Sequence, residues 1–309
     1  MAFALAESTV LSRQLDLPWM PPADFKAALR YQVQDALPVD TRASELGYHL
    51  LEEIQRTEAS GQQADMNRIL VLAADRSAVL DQAHVLRRAG LEPVAVDSSA
   101  FALIRAWCRG RIPASQDTHA IADVGASQLT VVVHGHGQPR FIRSVANLGG
   151  EAATDAIAQA LDVDLDRAEE LKRSVGLNGP APVVVPVAES SVFAALDTGP
   201  RLPTDPRIAQ VVATLGPWAT TVVQEIRNSI DYFHSTSPGT TIGSLTLCGR
   251  AICLHGLVER ISTQLPYPVR QFEPLLGLKA SGRVSRHAPN DTRLVLAAGL
   301  AMQPTRRGA

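Results

Sequence analysis

Ala120-Ile-Ala-Asp-Val-Gly-Ala-Ser-Gln-Leu-Thr-Val-Val-Val133 sets two apolar runs on either side of a small polar turn. The runs read as β-strands, and Gly125, Ala126 and Ser127 as the tight turn between them. A glycine there permits φ-positive geometry and lets backbone N–H groups converge, as a phosphate requires. Asp123 ends the first run and can hold Mg²⁺ through water, and Ser127 offers a hydroxyl donor. An ordinary hairpin, with Asp and Gly as turn formers, explains the same residues. A second turn, His134-Gly-His-Gly137, leads into residues 139–145, which makes the stretch an antiparallel meander. His134 and His136 have no third ligand nearby and read as a polar turn rather than a metal site.

On the C-terminal side, Gly149-Gly150 opens a helix that runs through Leu161. Its N-terminus favours an anion, or glycine simply caps it. Asp164 caps the next helix, predicted to turn Leu165, Ala168, Leu171 and Val175 inward and to stop at Gly176. In Ala168-Glu-Glu-Leu-Lys172, Glu169 and Lys172 lie three apart on one face. They read as a solvated ion pair, or as a grip on a ribose or base edge. Residues 178–207 are proline-rich and aperiodic, a long loop. Trp218, Val222, Ile226, Ile230 and Phe233 share one face of a helix. Residues 244–247 form a strand. Gly249 and a helix carrying Leu254, Leu257, Ile261 and Leu265 follow. Leu247-Cys-Gly-Arg-Ala251 is thus strand, glycine turn and helix, with Cys248 a small buried hydrophobe. Residues 291–302 are predicted to form a buried apolar helix.

On the N-terminal side, residues 9–17 read as a strand with Leu11, Arg13, Leu15 and Leu17 on one face and Val10 on the other. Pro18, Pro21 and Pro22 end it and open a helix over 23–36, which Pro38 closes. Leu46, Tyr48 and Leu50 alternate as in a strand, residues 57–67 are a polar turn, and 68–74 are a buried strand. Asp75 caps a helix with Val79, Ala83 and Leu86 on one face, closed by Gly90. Residues 94–96 are a further strand. That order, β-α-β-β-α-β, is the ferredoxin-like motif. It suits a free-standing domain or an insert. Because its last strand runs straight into a helix over 97–107, with a loop at 109–118 beyond, the insert is favoured.

The 309 residues suffice for two or three domains, and a balance of 46% hydrophobic to 19% charged is globular. The net charge of −2 excludes a global pull toward nucleic acid or anionic membrane. The small basic cluster of Arg105, Arg109 and Arg111 reads as surface. Cys108, Cys248 and Cys253 form no disulfide framework, which suits a cytoplasmic, reducing compartment. No apolar run reaches a membrane-spanning length.

Hairpin turn, Gly-Gly helix start, Ala-Glu-x-x-Lys helix and strand-Gly-helix occur here in one order. That order resembles the actin-like ATPase superfamily, whose ribonuclease H-like α/β fold holds a nucleotide between two lobes. Within it the chain is similar to the PilM family of type IV pilus assembly. Leu17-Pro-Trp-Met-Pro21, Ala36-Leu-Pro38, Ala89-Gly-Leu-Glu-Pro-Val-Ala-Val-Asp97, Arg143, Leu148-Gly-Gly150, Glu225-Ile-Arg-Asn-Ser-Ile-Asp-Tyr232 and Ala297-Ala-Gly-Leu-Ala301 carry the similarity.

The resemblance implies a two-lobed actin-like fold. Residues 1–8 would be a remnant strand of the first lobe and 9–96 an inserted ferredoxin-like, partner-binding subdomain. Residues 97–118 would be a first-lobe helix and linker. Residues 119–290 would be the second lobe, with a helical subdomain over 151–238, and 291–309 the last helix and tail. ATP or ADP with Mg²⁺ would lie between the lobes. Asp123, Gly125, Ala126 and Ser127 would face the phosphates, with Gly149 and Gly150 beside them. Glu169 and Lys172 would face the ribose or base, with Gly249 under the adenosine. Arg250, where the family tends to carry a second glycine, would stack on the base or block it. The implied partners are the N-terminal peptide of a PilN-like membrane protein and other inner-membrane pilus components, met at the inner face of the cytoplasmic membrane.

The family's first phosphate hairpin, an Asp-x-Gly turn, does not precede Thr9. The first lobe is therefore expected to be incomplete at its N-terminus, whether by gene assignment or by nature, and turnover to be at most that of a slow ATPase. Two other classes fit the same order. One is a structural relative without nucleotide, like the cytoplasmic domain of GspL in type II secretion. The other is an FtsA-like division protein, which would end in an amphipathic helix rather than Thr305-Arg-Arg-Gly-Ala309.

Overall fold

The computed structural model describes residues 1–5, 9–57, 63–109, 118–179, 205–237, 239–273 and 291–302. The predicted long loop over 178–207 and the tail lie largely outside these residues. The architecture is the two-lobed, actin-like α/β arrangement expected.

Its centre is a five-stranded sheet in the order β10-β9-β6-β7-β8. β6 (Thr118–Val124), β7 (Gln128–Gly135) and β8 (Gln138–Ala146) are the meander, while β9 (Ile242–Cys248) and β10 (Val269–Gln271) add in parallel. Apolar runs flank the turn because both faces of β6 and β7 are covered. Ala120, Ala122, Val124, Leu129, Val131 and Val133 face one core. It contains Leu215, Val222, Ile226 and Ile230 of the long helix α6 (Pro206–Thr236). Ile121 and Val132 face the other, against Leu103 and Trp107 of α3 (Ser99–Cys108). α4 (Gly150–Leu161) and α5 (Leu165–Val175) lie on the α6 side, and α7 (Leu257–Gln264) packs beside β10.

The expected β-α-β-β-α-β order is present over the first hundred residues. β2 (Val10–Pro18), β4 (Gln63–Asp75) and β3 (Ser44–Thr57) form an antiparallel sheet in the order β2-β4-β3. α1 (Pro22–Gln32) buries Phe25 and Leu29 on it against Ile69 and Val71, each worth about 1.5–3 kcal/mol. α2 (Arg76–Arg88) is capped by Asp75, whose carboxylate accepts from the Ser77 and Ala78 N–H groups. The last strand, β5 (Ala95–Ser98), does not join this sheet. It pairs in parallel with β1 (Ala2–Leu5), Phe3 opposite Val96. Phe3 and Leu5 bury against Ala83 of α2, so the strands before and after the three-stranded sheet close on each other.

Several local expectations change. The 57–67 turn is mostly ladder, because β3 and β4 extend as polar pairs such as Gln55 with Asp65. Ala64 and Met66 alternate with Gln63 and Asp65 there, but the exposed end of β3 past Glu52 carries no such period. Leu165 is exposed, and the buried face of α5 is Ala168, Lys172 and Val175. The helix predicted after Gly249 is broken. A 3-10 turn (Ala251–Cys253) precedes Gly256, at φ +89°, before α7 begins. Over 291–302 a 3-10 turn leads into α8 (Val295–Ala301), where Val295 and Gly299 alone are buried because one stripe meets α3. His134 is fully buried within β7 and packs its ring 4.6 Å from Trp107, while His136 and Gly137 make the turn.

Candidate functional site

At the hairpin, the Gly125 N–H donates to Gln128 O at 2.9 Å, closing the turn. Ala126 and Ser127 are exposed at its tip. Asp123, one residue before the end of β6, lies opposite Thr130 on one side and Cys248 on the other. Burial raises its carboxyl to about 6 from 3.8, against the opposing hydrogen bond from Cys248. Burial and the neighbouring Asp123 charge push the Cys248 thiol up in turn. Cys248 is thus more than a small hydrophobe, since it partners the acid.

The start of α4 is committed to the hairpin. The Gly150 N–H donates to Gly125 O at 3.0 Å and the Glu151 N–H to Ala126 O at 2.8 Å. A Cβ on Gly149 would stand 2.1 Å from Ala126 O, so only glycine lets the turn lie this close. Trp218 Nε1 donates to Gly149 O at 3.1 Å from the far side. These helix-terminal amides, expected to favour an anion, instead satisfy the hairpin's carbonyls.

α5 supplies the charged part. The Lys172 ammonium is buried and donates to Gly150 O at 2.8 Å and Thr154 Oγ1 at 2.6 Å, with Glu169 Oε2 at 2.5 Å. Glu169 also accepts from Thr154 Oγ1 at 2.7 Å and from Arg173 Nε at 2.8 Å. Burial pushes the Glu169 carboxyl up. The bonds from Lys172 and Thr154 outweigh it and hold the group below the usual range. Lys172 is therefore engaged within the protein, while Glu169 keeps 27% of its side chain exposed. Thr154 and Arg173 escaped the sequence reading, although each lies one helical turn from a residue that was singled out.

The turn after β9 completes the junction. Gly249 sits at φ +95°, where a Cβ would meet Asp123 Oδ1 and Val124 O, both at 2.3 Å. Arg250 reaches across to Glu169 Oε1 at 3.7 Å. Ala251 Cβ lies 3.3 Å from the position a Gly150 Cβ would take. Four segments scattered over the chain thus meet in one place.

The actin-like fold implies nucleotide and Mg²⁺ binding in the family. The donors present at this junction do not fit that group. An ammonium has three N–H donors, and Lys172 has three internal acceptors. The Gly125, Gly150 and Glu151 amides are taken by backbone carbonyls, which leaves the exposed tip residues Ala126 and Ser127 as the outward groups of the turn. Gly249 lies against the Asp123 carboxyl, where a hydrated Mg²⁺ needs room for its waters.

Comparison with solved structures gives a PilM–PilN type IV pilus biogenesis complex. The match is at TM-score 0.74 and 21% identity, covering 97% of this chain and 78% of that one. Weaker likenesses are to the ethanolamine utilization protein EutJ from Carboxydothermus hydrogenoformans and MreB5 of Spiroplasma citri bound to AMPPNP. EutJ has TM-score 0.47 and 17% identity, covering 74% of this chain and 61% of that one. MreB5 has TM-score 0.46 and 14% identity, covering 74% and 63%. The family model for the type IV pilus assembly protein PilM matches residues 1–190 and 203–305, and the chain belongs to that family.

Proposed function

We propose that this protein is a scaffold of type IV pilus assembly that works through protein contacts, binding the N-terminal peptide of a PilN-like membrane protein. The observation that carries this is the likeness to the PilM–PilN complex over 97% of the chain, which takes in the three-stranded sheet and its helices. We assign residues 9–96 as the partner-binding subdomain. Its sheet meets the rest of the molecule through His49, whose ring packs at a tilt against Phe101, centroids 5.6 Å apart, and which bonds Gln138. Trp19 and Tyr31 stand exposed on it. The protein would act at the inner face of the cytoplasmic membrane by holding such a partner. No described helix is long and apolar enough to cross a membrane.

ATP or ADP with Mg²⁺ remains the ligand that the fold implies for the family. The engaged donors of this chain favour a scaffold that does not turn it over. Calorimetry of a synthetic PilN-like N-terminal peptide against the folded protein tests the partner claim. Saturable one-to-one heat is expected, and its absence sinks the claim.

A further inference from the structure

We propose that the junction of the β6–β7 turn, α4, α5 and the turn after β9 is a closed structural joint, held by Lys172 where the family resemblance puts a nucleotide. The inference does not depend on the partner assigned above.

The geometry supports a joint in three ways. First, Lys172 ties α5 to the first turn of α4 through Gly150 O and Thr154 Oγ1, and to its own helix through Glu169. A buried ammonium needs all its donors satisfied, and here protein acceptors do so. Second, the Gly150 and Glu151 amides hold the hairpin carbonyls, so hairpin and helix are one unit. Third, Gly249 closes on Asp123 and Val124, and Arg250 spans from that turn to Glu169 of α5. A phosphate or base entering there would have to displace several of these bonds and leave buried acceptors unpaired. In this chain a protein cation does the work that a ligand does in a nucleotide-held cleft. Lys172 is a positioning residue, fixing α4 and α5 on the sheet before any partner binds.

The test is a thermal-shift and calorimetric titration of the full chain with Mg·ATP and Mg·ADP, alongside Lys172→Met and Lys172→Arg. A site with Kd of about 10 µM would raise Tm by roughly 5 °C at about 1 mM nucleotide. The expected rise is below about 1 °C, with no saturable heat. Lys172→Met is expected to lower Tm by roughly 5 °C or more, and Lys172→Arg, which keeps the charge, by less. A saturable nucleotide-dependent rise above about 1 °C overturns the proposal, as does a Lys172→Met protein that melts with the wild type. If Lys172→Met does not fold, the wild-type titration still decides.

Discussion

Gly149→Ala isolates the contact on which the junction rests. Gly149 has φ −83° and ψ −171°, an extended conformation open to any residue, so alanine incurs no backbone strain there. Its Cβ would lie 2.1 Å from Ala126 O, 2.3 Å from Ala126 C and 2.6 Å from Ser127 N, all backbone atoms of the hairpin turn. The turn must retreat from α4. Retreat breaks the Gly150 to Gly125 and Glu151 to Ala126 hydrogen bonds. The buried Gly150 amide left unpaired costs about 1–3 kcal/mol, while exposed Glu151 can turn to water, so the expected loss is about 1–3 kcal/mol. Urea unfolding followed by far-ultraviolet dichroism measures it, and Trp218, bonded to Gly149 O, gives a local fluorescence signal. Gly47→Ala is the control. It lies exposed inside β3 with nothing within 4 Å of its Cβ position, and alanine there should stabilise by about 0.5–1 kcal/mol. A Gly149→Ala protein within about 0.5 kcal/mol of wild type, with the control behaving as expected, would refute the reasoning.

Asp123 gives a pH prediction. Its folded pKa is raised to about 6 from 3.8, so the folded state holds the proton more tightly than the unfolded chain. The stability it contributes is full below about pH 4 and is lost as pH rises through about 6. It is worth about 3 kcal/mol at 1.36 kcal/mol per pH unit. Asp123→Asn, neutral throughout, should lack that loss, and a stability difference from wild type that stays flat between pH 4 and 8 argues against the buried acid. Gly299→Ala puts a Cβ 1.9 Å from Ala102 O and should prise α8 from α3, costing about 1–3 kcal/mol. Limited proteolysis that cuts near α8 no faster than in wild type would count against that packing.

The strands of the meander, the buried face of α6 and the caps at Asp75 and Asp164 were legible because their signals are local. Alternation and i, i+4 spacing report which side of one element meets a core. The ends of β3 and β4 were missed because the exposed end of β3 carries no period and the alternation over 63–66 is too short to stand out from a turn. The partner of β5 was missed because β1 lies at the opposite end of the intervening sheet in sequence. For the site, the glycines at 125, 149, 150 and 249 and the Glu169–Lys172 pair were picked out, while Thr154, Arg173 and the Cys248 contact were not. Thr154 and Cys248 act through groups of other elements, Glu169 and Lys172 of α5 and Asp123 of β6, while Arg173 pairs with Glu169 on its own exposed helix face, where a charged residue gives no signal of its own.

By itself the sequence determined where the chain turns tightly and which faces are apolar, since propensity and periodicity are written within a few residues. Tertiary structure alone decided what those turns touch. Gly149 lies against Ala126, Gly249 against Asp123, and Lys172 beneath Gly150 and Thr154. A donor's meaning depends on the acceptor opposite it, and here the acceptors are carbonyls and side chains of distant segments. The motif that reads along the chain as a hairpin turn is bonded, through Gly125 and Ala126, to the start of α4.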